Sequence, residues 1–78
     1  MKYYLQPTDS RKSFYNKCFV EEMPNGDKVL YSYDTKILTK KANGDLIRHW
    51  LGWSQTTGRH INAFCGLNKK QFEALPTD

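Results

Sequence analysis

The sequence predicts an α+β fold: a four- or five-stranded antiparallel sheet in meander order, packed by one helix near the C-terminus, with a short terminal helix after it. Three observations carry this. Turn-forming pairs recur at close spacing, at Pro24-Asn25-Gly26, Asp34-Thr35 and Asn43-Gly44, and tight reversals of this kind join antiparallel neighbours. Between Trp50 and Gly66 the strand-like pattern stops, and a hydroxyl at Ser54 precedes a run of helical periodicity that a glycine ends. Asn68, with Gln71 three residues on, then has the spacing of a capping box.

Taken in order, residues 1–6 read as a short strand and 7–12 as a polar loop. Residues 14–22 form the first long strand, whose alternation puts Phe14, Cys18 and Val20 on one face and Tyr15, Lys17 and Phe19 on the other. Proline cannot donate to a ladder and Asn-Gly tolerates positive φ, so the hairpin at 24–26 leads into a second strand at 28–33. Asp34-Thr35 reverses the chain into a third at 36–40, and Asn43-Gly44 into a last at 45–50. Gly52 marks the corner into the helix, for which Ser54 is the N-cap, with Thr56 and Thr57 as alternatives, and Gly66 the stop. At about 100° per residue, Thr57, Ile61, Phe64 and Cys65 share the face expected to cover the sheet, with Ile61 and Phe64 pointing at it, while Gln55, Arg59 and Ala63 lie opposite. The second helix runs through Phe72 and Leu75 to Pro76, and these two side chains close an edge or an open end of the sheet. Both faces of the sheet carry large side chains, whereas one helix covers only one.

With 78 residues the chain is one domain with one core, near the lower limit for independent stability. Five Tyr, four Phe and two Trp offset the small size, since each ring buries a large area. Twelve Lys and Arg against eight Asp and Glu give a net charge of +4 that is spread along the chain rather than concentrated in a block. The first residues, with Lys2 followed only by Tyr3, Tyr4 and Leu5 before Gln6 and Pro7, lack a secretory core, and no eighteen apolar residues run together. The expectation is a cytoplasmic protein with no membrane partner and two reduced thiols.

No Gly-rich phosphate loop, C-x-x-C, H-E-x-x-H or nucleophile elbow is present, and Asp27, Asp34 and Asp45 stand at turns, so the expected protein is not an enzyme. Two constellations remain. Cys18, His49, His60 and Cys65 have the composition of one structural zinc site, although without the close ligand pairs of zinc knuckles; the alternative is two buried thiols and a satisfied histidine. Tyr15, Phe19, Tyr31 and Tyr33, with Lys17, Lys28, Lys36 and Lys40 around them, would form either a stacking platform for single-stranded nucleic acid or an aromatic patch for a protein partner, if the sheet face bearing them is left uncovered. The binding residues predicted on this basis are the anchors Tyr15, Tyr31, Tyr33 and Trp53 and the rim charges Lys36, Lys40 and Arg59.

The stretches K-S-F-Y-N-K at 12–17, L-Y-S-Y-D-T at 30–35, N-G at 43–44, G-W-S-Q-T-T-G-R-H-I-N-A-F at 52–64 and A-L-P at 74–76 resemble a family of short phage and prophage proteins. The resemblance implies a structural role for His60, which belongs to the shared T-T-x-R-H-I pattern, and it places small or aliphatic residues where Cys18 and Cys65 stand. In size and origin such proteins are similar in kind to anti-CRISPR inhibitors. The function implied is a non-enzymatic inhibitor that binds a host defence protein in the bacterial cytosol, a Cas9-type effector first among them, and blocks its engagement with nucleic acid. The alternative is a small nucleic-acid-binding module.

Overall fold

The computed structural model describes residues 1–5 and 18–77. Its strands are β1 (Lys2–Tyr4), β2 (Cys18–Glu22), β3 (Lys28–Ser32), β4 (Thr35–Lys40) and β5 (Leu46–Arg48), followed by the helices α1 (Gln55–Cys65) and α2 (Lys69–Glu73). The five strands form one sheet in the order β1-β2-β3-β4-β5, every pair antiparallel, which is the meander the turn spacing predicts.

The turns differ from a simple Asn-Gly reading. At both Asn-Gly pairs only the glycine has positive φ, 95° at Gly26 and 97° at Gly44. Each turn closes with an i to i+3 bond, from Gly26 N to Met23 O at 3.0 Å and from Gly44 N to Lys41 O at 2.8 Å. These are three-residue loops with a glycine bulge rather than two-residue turns. The asparagine side chain completes each one by accepting from the amide of Asp27 or Asp45, at 3.0 Å in both. The two-residue turn lies elsewhere: Ser32 pairs with Thr35, so the β3–β4 reversal occurs at Tyr33 and Asp34, one residue earlier than predicted. Both have positive φ, 51° and 67°. A type I′ turn requires this of both central residues, and side chains other than Gly, Asn or Asp enter that region at a cost of about 1 kcal/mol or more.

Cys18, Val20, Leu30, Ile37, Leu38, Ile61 and Phe72 form one buried cluster, so both helices lie on the same face of the sheet. Strict alternation would send Ile37 and Leu38 to opposite faces. A bulge prevents it: Leu30 pairs with Leu38 but Tyr31 with Lys36, leaving Ile37 as an extra residue, and both aliphatic side chains reach the core. The Ile37 carbonyl then accepts from the amides of His49 at 2.8 Å and Trp50 at 3.2 Å, fixing the exit of β5. Phe72 belongs to this core and is fully buried, whereas an edge or open end was expected for it; Phe64 packs against the cluster from a partly buried position.

Ser54 caps α1 by accepting from the Thr57 amide at 3.1 Å, and Gly66 ends the helix in the left-handed region. In α2 the predicted capping box is present in both directions, Gln71 N to Asn68 Oδ1 at 2.8 Å and Asn68 N to Gln71 Oε1 at 3.0 Å. The helix stops at Glu73, short of Leu75. Arg48, 8% exposed, ties α2 to the sheet. Its guanidinium lies 4.8 Å from the Phe72 ring centre, its Nε donates to the Trp50 carbonyl at 2.9 Å, and its Nη1 lies 3.4 Å from the Glu73 carbonyl at the end of α2.

Trp53, just outside the N-cap of α1, folds back over the first turn and meets Phe72, with ring centres 5.8 Å apart. The residue under the indole is Gly58, where a Cβ would come within 2.4 Å of the Trp53 ring. Position and contact are those of a hydrophobic staple in which the helix member has been reduced to glycine so that the ring can lie flat.

Two outcomes are expected. Gly58→Ala, which in an ordinary helix interior gains up to about 1 kcal/mol, should here cost about 1–3 kcal/mol in thermal or denaturant unfolding, and the cost should vanish in a Trp53→Ala background. Replacing Tyr33-Asp34 by Asn-Gly should raise stability by about 1 kcal/mol, a gain of about 4–8 °C in Tm for a domain of this size.

Candidate functional site

The sheet face turned away from the helices carries the side chains that alternate with the core positions. Tyr4, Phe19, Tyr31 and Lys36 follow one another across β1 to β4, and Glu21, Val29, Thr39 and Ile47 form the next row. In the first row the Phe19 and Tyr31 rings stack with centres 4.8 Å apart and planes 8° from parallel. Tyr4 meets Phe19 edge-on at 6.1 Å, and the Lys2 ammonium stands 4.3 Å from the Phe19 ring centre. The result is an aromatic ridge with a cation at one end and the exposed Lys36 at the other. The second row is drier: Val29 is 4% exposed, and the Thr39 hydroxyl lies 2.7 Å from His49 Nε2.

This arrangement divides the predicted binding residues. Tyr31 and Lys36 lie on the outer face, together with Phe19, and Lys2 and Tyr4 join them. Those two were missed because a short N-terminal strand gives no sign of which neighbour it will pair with. Tyr33 is 56% exposed in the β3–β4 turn, and its ring approaches His60 at 5.9 Å, so it belongs to the helix side. Lys40 is also on that side, close enough to Cys65 to act on its thiol. Trp53 is packed between α1 and Phe72 rather than presented as an anchor, and Arg59 is half-buried on α1. Tyr15, with Phe14 and Lys17, lies outside the described residues.

The four predicted zinc ligands are not brought together; among the described residues no three His, Cys, Asp or Glu side chains are placed to hold a metal ion. The sheet separates them. His49 bonds to Thr39 on the outer face, whereas Cys18 and His60 are buried under α1. Burial pushes the Cys18 thiol up to about 12, opposing the thiolate that zinc needs. Cys65 is raised too, by burial, against the pull of the Leu67 amide and Lys40, and its Sγ lies 3.5 Å from the Ile61 carbonyl. As placed, these residues do not fit a zinc site: Cys18 is buried, Cys65 is half-buried at the end of α1, and His60 is hydrogen-bonded to Ser32.

His60 is engaged at the junction of α1 with β3. Its Nδ1 lies 2.9 Å from Ser32 Oγ, which lies 3.2 Å from Thr57 Oγ1. All three are buried, at 1%, 2% and 6% exposure. Serine beside histidine is a nucleophile pairing, but an acyl carbon must reach the hydroxyl, and this one is sealed beneath the helix. The triad is a polar peg between α1 and β3, each member satisfying another. Burial, assisted by the Arg59 charge, lowers the pKa of His60.

The fold and this surface define a small α+β protein whose single meander sheet is covered by helices on one face and carries a cation-tipped aromatic ridge on the other. Residues 3–75 match the model of the family described as "Family of unknown function (DUF8033)", and the chain belongs to that family. No curated protein and no solved structure matches it.

The His60 peg sets a pH dependence. Since its folded pKa is below the ordinary 6.5, the unfolded chain binds a proton that the folded chain refuses between those two values. The stability due to neutral His60 should be fully present above about pH 6.5 and fall as the pH drops through the lowered pKa. In denaturant unfolding as a function of pH, His60→Asn should be less stable at neutral pH and should lose less on acidification than the wild type.

Proposed function

We propose that this protein is a non-catalytic binding module of phage type that occupies the surface of a host defence protein in the bacterial cytosol, a Cas9-type effector being the first candidate, and blocks its engagement with nucleic acid. The observation that carries the binding mode is the ridge of Tyr4, Phe19 and Tyr31 between Lys2 and Lys36 on the sheet face away from the helices. Aromatic centres within a polar rim are what protein interfaces concentrate. The choice of partner rests on the sequence resemblance.

A protein partner is favoured over single-stranded nucleic acid by the use already made of the ring faces. Base stacking needs an open π-face. Phe19 has Tyr31 parallel to it and the Lys2 ammonium over its ring, so its faces are engaged and the pair offers ring edges and the single Tyr31 hydroxyl. Edges and a phenol suit a protein surface, where the aromatic body excludes water and the polar tip accepts or donates.

Titrated against a Cas9-type effector, the protein should abolish activity at a fixed molar ratio, with restoration by excess effector. Tyr31→Ala should weaken binding by about 2 kcal/mol, roughly thirtyfold, while retaining a cooperative unfolding transition, and Lys2→Glu with Lys36→Glu should mainly slow association. Catalytic turnover of the effector by substoichiometric protein would refute the reading. Tight, steeply salt-dependent binding of a single-stranded oligonucleotide to the same face would replace it with the nucleic-acid module.

A further inference from the structure

The chain carries Asn-Gly-Asp twice, at 25–27 and 43–45, and the meander sets the two copies at the same end of the sheet, where Asp27 Oδ1 accepts from the Ala42 amide at 2.9 Å. Within each loop the bonds are alike. The aspartate amide donates to the asparagine Oδ1 at 3.0 Å in both, and Nδ2 lies 3.4 Å from Asp27 Oδ2 in one and 3.2 Å from Asp45 Oδ2 in the other. Both asparagines are exposed. The surroundings differ. A Cβ placed on Gly26 would lie 3.1 Å from Ala42 Cβ, and Asp27 is half-buried with its carboxylate clasping the neighbouring loop. Gly44 has nothing within 4 Å of the same position, and Asp45 is exposed.

We infer that Asn43 is a site of spontaneous deamidation through a cyclic imide with Gly44, and that the Asp27–Ala42 clasp protects Asn25 from the same reaction. A glycine after asparagine lets the next main-chain nitrogen reach the side-chain amide, because no Cβ stands in the way. Once its proton is lost to solvent base, the Gly44 nitrogen forms a bond to Asn43 Cγ; the Cγ–Nδ2 bond breaks, and ammonia leaves with a proton taken from water. Water then opens the imide at either carbonyl, giving aspartate or isoaspartate with no oxidation or reduction. While Cγ is tetrahedral, charge builds on Oδ1, where the Asp45 amide already donates. The product has a net charge one lower than the +4 of the parent chain. The bonds that close the loops, from Gly26 N at 3.0 Å and Gly44 N at 2.8 Å, have to open in either case and do not separate the two sites. What separates them is whether the glycine can then move toward Cγ. Gly26 is held against Ala42 by the clasp, whereas the clasp tethers the second loop only at Ala42, ahead of its reacting pair.

The test incubates the 78-residue protein at mildly alkaline pH, folded and in guanidinium chloride, and follows its tryptic peptides by mass spectrometry. Cleavage after Lys and Arg puts Asn25 in the peptide Cys18–Lys28 and Asn43 in Ala42–Arg48, so the two sites are read separately. In the folded protein Ala42–Arg48 should exchange an amide for an acid at least about fivefold faster than Cys18–Lys28, and in denaturant the two should convert at equal rates. In folded Asp27→Ala the difference should shrink to less than about twofold, through faster conversion at Asn25. The comparison of folded with denatured wild-type protein does not depend on any variant folding. Equal rates in the folded protein, faster conversion at Asn25, a difference that persists in denaturant, or one that Asp27→Ala leaves unchanged would each overturn the inference.

Discussion

A chain of this length can build one covering layer, and a five-stranded sheet has two faces to satisfy. Much of the rest of the structure follows from that imbalance. The covered face must collect enough apolar volume to hold the fold, so β4 takes a bulge that brings Ile37 and Leu38 to the same side, and the only fully buried aromatic, Phe72 among the described residues, comes from a helix of five residues. Removing a phenylalanine from such a site costs about 3–5 kcal/mol, most of what a small domain has. Anchoring α2 is accordingly shared among its own capping box, the Arg48 guanidinium and the Trp53 ring.

The face turned away from the helices solves the same problem differently. Its aromatic side chains shield one another: Phe19 is flanked by Tyr31, Tyr4 and the Lys2 ammonium, and Val29 is buried in the adjacent row on the side away from α1 and α2. Cross-strand ring pairs stabilise a sheet where they stand, and they also leave a ridge that a partner can cover. The same residues thus contribute to folding, and the binding proposed above would use side chains already held by their neighbours. The family match gives no activity to this surface.

The polar peg of Ser32, Thr57 and His60 has a different role. Apolar contacts alone would let α1 slide or rotate across the sheet with modest loss, whereas three mutually satisfied polar groups fit in one register only. The Gly58–Trp53 contact restricts the same helix at its first turn. Together they explain why T-T-G-R-H-I reads as a unit in the sequence: Thr57, Gly58, His60 and Ile61 all face inward.

The sequence by itself determined the elements whose signals are local. The Ser54 cap, the Asn68 and Gln71 box, the Gly66 stop and the meander order rest on hydrogen bonds within a few residues or on turns between neighbouring strands, and these form much the same way in any context. Tertiary structure decided what depends on distant partners. The bulge that redirects Ile37, the choice of Tyr33 and Asp34 for the two-residue turn, the burial of Trp53, and the separation of His49 from His60 by the thickness of the sheet all follow from the register between strands and the docking of α1. A pattern of residue types records which groups a chain possesses. Which of them meet is set by the packing free energy of the whole, and for Cys18, His49, His60 and Cys65 that packing puts one thiol in the core, one half-buried at a helix end, and the two hydrogen-bonded imidazoles on opposite sides of the sheet.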